Sequence, residues 1–457
     1  MRSRPRFCRA AAFAAITAVL AGVFVVAGGA QVRPTKFDYR LETLDNGLRV
    51  ILSEDRSTPI VHLQLWYHVG SRDEPPGRTG FAHLFEHLMF QGSHNLQRGD
   101  HLALITRIGG EGNAYTTDDS TVYHATVPGE YLPLVLWMEA DRMATLRINQ
   151  EGLDAEREVV KEERRLRYEN EPFGLLNEIL YEHAFTTHPY RHTTIGSMED
   201  IEAARIEDVR EFFDTYYVPE NATLALVGDF DTDYAFQLVQ HFFGRVPKAE
   251  RPVPRDLPRE PAPAGPRNVT VEADNWPLPA VIVAHPVTYD GHPDAYPLHI
   301  LSKVLSDGQS ARIYRRLVYE QQVAVTAFGQ SVLIEDPNLF YAVALVPPGR
   351  STDEAAAALI AELDRAKTDP PTDAELQRAK NQFARDYVIG RITIEQKAMH
   401  LAHAVVAHDD VTTADAEFDI FMNVSSDDVQ RVARTYLRDE NRLVLTILPR
   451  GSGGGGQ

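Results

Sequence analysis

The chain has 457 residues, long enough to bury a large core and to form two to four domains. Its 44% hydrophobic and 24% charged residues are ordinary for a globular protein and exclude wholesale disorder. A formal net charge of −19 argues against a general nucleic-acid binder and favours neutral or cationic peptides as partners.

Residues 1–30 read as a signal peptide. Arg2, Arg4, Arg6 and Arg9 precede an uncharged apolar run from Ala10 to Val26, and the small residues Ala27 to Ala30 follow, so cleavage is expected after Ala30. An uncleaved anchor is the rival, because Ala10 to Ala30 is just long enough to span a bilayer. The expected location is therefore outside the cytoplasm, periplasmic if the leader is removed and on the membrane only if it is kept. Cys8, the only cysteine, lies in this leader. A disulfide framework is excluded, and any metal site has to use histidines and carboxylates.

Beyond the leader, Tyr39 to Leu44 and Leu48 to Ser53 flank Asp45-Asn46-Gly47, which predicts a hairpin. Val61 to Val69 predicts a third strand, and the loop Gly70 to Gly80 delivers the chain to His83-Leu84-Phe85-Glu86-His87. Leu84, Phe85, Leu88 and Met89 predict a helix there, which places both imidazoles on one face with Glu86 beside them. Two imidazoles and a carboxylate in this arrangement can hold and use a zinc ion. The order is H-x-x-E-H, the reverse of the commoner H-E-x-x-H. An amphipathic helix with two satisfied core histidines is the alternative, and a zinc site needs a third protein ligand and an open fourth position. Next come a glycine-rich turn with Asn113-Ala114-Tyr115 and a strand-forming run from Ser120 to Val127. A charged helical pattern spans Glu156 to Arg165 and places Glu163 76 residues after His87. On its own such a helix is a solvated face with ion pairs.

The two pieces together resemble the pitrilysin/insulinase family of inverzincin metallopeptidases. The resemblance implies one Zn2+ per chain held by His83, His87 and Glu163, with Glu86 catalytic and Glu156, seven residues before Glu163, supporting the site. Seven residues are almost two helical turns, so Glu156 and Glu163 share a face, whereas Glu162 is rotated by about 100° from Glu163. Glu163 is therefore preferred over Glu162. Asn113, Ala114 and Tyr115 resemble the family's edge strand, which implies backbone pairing with peptide substrates of many sequences. His188 to His192, with Ile195 and Gly196, also fit the family pattern and are read as a structured loop rather than as further ligands.

An internal repeat has an offset of 220 residues. Val209 to Val227 aligns without gaps to Val429 to Ile447, each reading as helix, turn and strand. Pro247 to Pro266 holds seven prolines and reads as an extended linker. The expected fold class is α+β, two homologous α+β sandwich halves in tandem that form one side of a peptide-enclosing clamshell. The halves are residues 31–246, with the zinc motif, and 267–450, without it, and residues 451–457 form a glycine-rich disordered tail. Through the offset, His83 and His87 fall near Lys303 and Asp307 on a helix-like segment from Ala295 to Leu305.

One departure from the family is visible. Active single-chain members carry an arginine and a tyrosine seven residues apart in the later half, where an ungapped placement from Arg312 puts Val318 and Val325 here. The resemblance then implies a zinc-bearing subunit completed by a homologous partner that lacks the zinc motif. The expected function is a zinc metalloendopeptidase acting on peptides or unfolded segments. The rivals are a non-catalytic processing or assembly subunit, which loss of a ligand or of the base would favour, and a peptide-binding chaperone of the same fold.

Overall fold

The structure, a computed structural model, describes residues 33–451; the expected leader and the tail beyond Gly451 lie outside the described residues. From Phe37 onward the chain builds two sheets. Strands β1 (Arg40–Thr43), β2 (Arg49–Glu54), β3 (Ile60–Tyr67), β4 (Glu111–Thr116), β5 (Thr121–Pro128) and β6 (Ala222–Gly228) form the first, in the order β1-β2-β6-β3-β5-β4. Strands β7 (Arg267–Ala273), β8 (Ala280–Pro286), β9 (Thr326–Ser331), β10 (Leu339–Leu345) and β11 (Leu443–Pro449) form the second, in the order β7-β11-β8-β10-β9. Apart from β1 the two orders are equivalent. In both, a single parallel pair, β2 with β6 and β7 with β11, sits in an otherwise antiparallel sheet. The tandem duplication is thus visible in topology as well as in sequence.

The first half carries α1 (Phe81–Leu88), α2 (Asp100–Arg107), α3 (Leu132–Thr145), α4 (Gln150–Arg164), α5 (Leu176–Ala184), α6 (Met198–Glu202), α7 (Ile206–Tyr216) and α8 (Thr232–Phe243). The second carries α9 (Ala295–Ser306), α10 (Arg312–Tyr314), α11 (Thr352–Thr368), α12 (Asp373–Ile389), α13 (Ile394–His408), α14 (Thr413–Asn423) and α15 (Ser426–Tyr436). The repeat seen in sequence places α7 and α15 220 residues apart at both ends. No described helix is long and apolar enough to cross a membrane. Residues 247–266 form no regular element.

Every residue of β6 is buried, and so are the first six of β8, because both faces of each sheet are covered. One face packs against helices of its own half: α1, α3, α7 and α8 supply Phe85, Leu136, Phe212 and Val239 to the first core. The opposite faces are exchanged between halves. Ile394, Leu401 and Val405 of α13 lie against Ile51, Trp66 and Val227 of the first sheet. Reciprocally, Leu180 of α5, with Phe185 and Tyr190, packs on Ile282, Val343 and Leu445 of the second sheet. A full capping box at Thr393 and Gln396 starts α13 for this crossing, and Lys397 is ion-paired with Asp55 of the first half.

This exchange predicts that Leu401→Ala destabilises the whole chain. Leu401 is fully buried, and truncation of such a side chain costs about 2–5 kcal/mol. A urea titration should show the lower midpoint; a loss below about 1 kcal/mol would show that the helix contributes little to closing the two halves.

Candidate metal centre

A buried carboxylate positions α1. Glu74 accepts hydrogen bonds from the backbone N–H groups of Gly80 at 2.9 Å and Ala82 at 2.7 Å, satisfying first-turn donors that no intrahelical carbonyl reaches. Gly80, at φ 88°, makes the left-handed turn into the helix, where a Cβ would meet the Ile195 carbonyl at 2.7 Å. Leu84, Phe85 and Leu88 are buried in the first core, so His83, Glu86 and His87 face the other way. The His83 and His87 rings stand edge to face, 4.9 Å apart.

Across them runs α4, started by Asn149, whose side chain accepts from Gly152 N. It brings Glu156 and Glu163 to the imidazoles. His87 Nε2 lies 3.4 Å and His83 Nε2 3.8 Å from the same oxygen, Glu163 Oε2. The other ring nitrogen of His87, Nδ1, donates to Glu156 Oε2 at 3.3 Å, which turns Nε2 toward Glu163. Glu156 Oε1 is in turn held by Gln91 and, at 3.2 Å, by Arg98. Glu163 Oε1 pairs with Arg167 at 2.7 Å, leaving Oε2 to the histidines. Glu162 is 58% exposed, pairs with Arg165 and takes no part. Glu86 accepts a 2.6 Å hydrogen bond from Thr116 at Oε2, and burial raises its pKa.

The three ligand atoms of His83, His87 and Glu163 lie within 4.8 Å of one another. A tetrahedral zinc with ligand bonds of about 2.0–2.1 Å separates its ligand atoms by roughly 3.3 Å, so a small inward movement suffices. The electrostatics agree. Burial, and secondarily His87, lowers His83 to about 4, keeping it neutral as a metal ligand must be. Burial also acts against charge on His87, but the hydrogen bonds to Glu156 and Glu163 outweigh it and hold the group up to about 9. Glu163 is lowered, chiefly by its hydrogen bond with His87. A cation is therefore favoured where these groups converge, and a metal would take the place of the His87 proton.

Of the other sequence candidates, Asn113, Ala114 and Tyr115 lie on β4, an edge of the first sheet. Their side chains divide between its faces. Ala114 enters the first core, whereas Tyr115 packs edge-on against Trp66, on the side covered by α13. Tyr115 is thus available at the edge through its backbone rather than through its ring. His188 binds Tyr190 N through Nδ1 and faces Asp336 at 3.4 Å, and His192 faces Glu74 at 3.6 Å, so this loop is structured. In the second half, Lys303 and Asp307 form a 3.0 Å ion pair, with Asp386 also on the Lys303 ammonium, where the first half has its histidines. Val318 packs against the second core, and Val325, 46% exposed, immediately precedes β9.

Thr116, Gln91, Arg98 and Arg167 were not singled out by sequence. Two of them carried a signal, since Gln91 and Arg167 stand one helical turn after His87 and Glu163. Thr116 follows Ala114 by two and so shares its strand face, while Arg98 reaches Glu156 from a loop with no such regularity.

Residues 49–197 match the family Insulinase (Peptidase family M16), and residues 204–383 match the Peptidase M16 inactive domain. The zinc protease PqqE of Helicobacter pylori is 30% identical over 434 residues, covering 94% of this chain and 98% of that protein. This chain belongs to the M16 (insulinase) peptidase family. An uncharacterized zinc protease of Streptomyces coelicolor is 26% identical over 403 residues, 87% of each chain. The crystal structure of a Helicobacter pylori protease superposes on this M16 chain with a TM-score of 0.86 at 30% identity, over 91% of this chain and all of the other. The Escherichia coli periplasmic protease PqqL shares the fold at 17% identity and a TM-score of 0.74, with 91% of this chain matching 48% of that longer one. The expected fold class, two M16-type halves in a clamshell family, is thereby established.

Proposed function

We propose that this chain is a zinc metalloendopeptidase that hydrolyses peptides or unfolded segments outside the cytoplasm. The observation that carries the reading is the convergence of His83, His87 and Glu163 with Glu86 on the same face of α1. His83 Nε2, His87 Nε2 and Glu163 Oε2 would hold one Zn2+ at this centre, and Glu156 fixes the His87 ring from behind. When bound, the zinc supplies Lewis acidity toward a peptide carbonyl and toward the attacking water. Glu86 takes the water's proton and delivers it to the leaving amine, a role suited to a carboxylate raised by burial and oriented by Thr116. A substrate in extended form would add to the β4 edge, whose Thr116 already touches Glu86, so main-chain pairing aligns a peptide along the site. The leader pattern of residues 1–30 supports export.

Metal analysis of the purified chain tests the ligand set. Zinc is expected to be lost in Glu163→Gln and kept in Glu162→Gln, because Glu162 is turned away and paired with Arg165. The opposite pattern would reassign the third ligand.

A second reading, a peptide-binding or processing subunit without hydrolysis, is favoured by Val318 and Val325 in the half that matches an inactive domain. Cleavage of a quenched random peptide separates the two readings.

A further inference from the structure

Among the described residues, three groups of histidine and carboxylate side chains bring ligand atoms within 4.8 Å of one another. One is the His83 centre. A second, His62, His124 and Glu395, is already engaged: His62 Nδ1 is 2.8 Å from the Thr126 hydroxyl and its Nε2 is 3.1 Å from Gln64 Nε2. The third, Asp290, His403 and His408, joins different parts of the molecule. Asp290 lies between β8 and α9 in the body of the second half, whereas the histidines end α13, the helix that covers the first sheet.

His408 Nε2 stands 3.0 Å from Asp290 Oδ2, and His403 Nε2 stands 3.6 Å from that same oxygen. These separations bracket the roughly 3.3 Å edge of a tetrahedral zinc site. They also resemble the 3.4 and 3.8 Å of the His83 centre. Asp290 Oδ1 is occupied by Gly291 N at 2.9 Å, which aims Oδ2 at the imidazoles. An Asp290–His408 ion pair accounts for one histidine only. At 3.6 Å His403 is too far for a good hydrogen bond, yet it converges on the oxygen, as it would around an ion. Glu335 acts electrostatically on both imidazoles and Glu417 on His408, each favouring positive charge. His403 is half-exposed and gives an ion a way in, while Asp290 and His408 are largely buried.

We propose that Asp290, His403 and His408 form a second metal site, for a borderline divalent ion such as Zn2+ or Co2+, that fastens α13 to the second half. Two imidazoles and one carboxylate select such ions over Mg2+ or Ca2+. Because α13 is the cover of the first sheet, the bound ion braces the joint between the halves rather than taking part in hydrolysis.

The test uses the full chain carrying His83→Ala and His87→Ala, titrated with Co2+ by visible absorption and with Zn2+ by calorimetry. One equivalent should still bind and raise Tm. Adding His403→Gln, at a half-exposed position that the fold does not need, should weaken binding at least about tenfold and abolish the Tm shift. Asp290→Asn should do the same. No binding by the folded double variant, or unchanged binding after His403→Gln, overturns the proposal. Should the double variant fail to fold, the wild-type chain gives the same readout: its metal content at saturation should fall by one equivalent in His403→Gln, and equal content in both chains overturns the proposal.

Discussion

Glu86→Gln is expected to lower peptide hydrolysis by about 10²–10⁴-fold while leaving zinc content unchanged. The amide keeps the size of the carboxylate and still accepts the hydrogen bond from Thr116, so the geometry beside the histidines is preserved. What it loses is the capacity to accept a proton from water and pass it on. Its oxygens are not among the three converging ligand atoms, which belong to His83, His87 and Glu163. Burial raises the pKa of Glu86, so a neutral replacement costs the fold little. Zinc content and turnover measured on the same preparation separate the two roles. Turnover equal to that of the wild type would remove Glu86 as the proton carrier, and zinc loss with turnover would make it a ligand instead.

The parts of this molecule that were legible in sequence are those with local periodicity. The Asn46-Gly47 hairpin, the helix around His83 and the edge strand at Asn113 were each written in a run of a few residues with its own turn or spacing signal. Glu163 was accessible only because a helix repeats every 3.6 residues, so Glu156 and Glu163 had to share a face and Glu162 could not. The exchange of α5 and α13 between the halves was not legible. Both helices are apolar on the side they bury, but nothing within α13 states that this side meets Trp66 and Val227 of the other half rather than its own sheet. The division of β4 was hidden for a related reason. Alternation puts Tyr115 and Thr116 on opposite faces, but only the packing decides that the Thr116 face looks at Glu86. Long-range convergence also concealed the Asp290 group, whose members are more than a hundred residues apart in sequence.

On the peptidase reading, this chain alone should be a poor enzyme, and it should become competent with a homologous partner that lacks H-x-x-E-H but carries the arginine and tyrosine. The zinc half has its ligands, its base and an edge strand. The second half places Val318 against its core and Val325 before β9, and neither side chain can donate a hydrogen bond to a substrate carbonyl. The duplicated position of the centre itself holds the Lys303–Asp307 ion pair, so the second half offers no replacement there. One missing oxyanion donor lowers turnover by about 10²–10³-fold, so the solitary chain should keep residual activity from zinc polarisation of the carbonyl rather than none. The fold fits a two-chain assembly, because 91% of this chain corresponds to 48% of the longer PqqL chain, so a second chain of this size would supply the other half of such a clamshell. The assay compares the purified chain, the partner and their mixture on one quenched peptide, then repeats the mixture with the partner's arginine and tyrosine replaced. The mixture should exceed the chain alone by about 10²-fold or more, and the replacements should cancel the gain. Equal rates with and without the partner would mean that another donor in this chain faces the carbonyl, and the division of labour between two subunits would have to be given up.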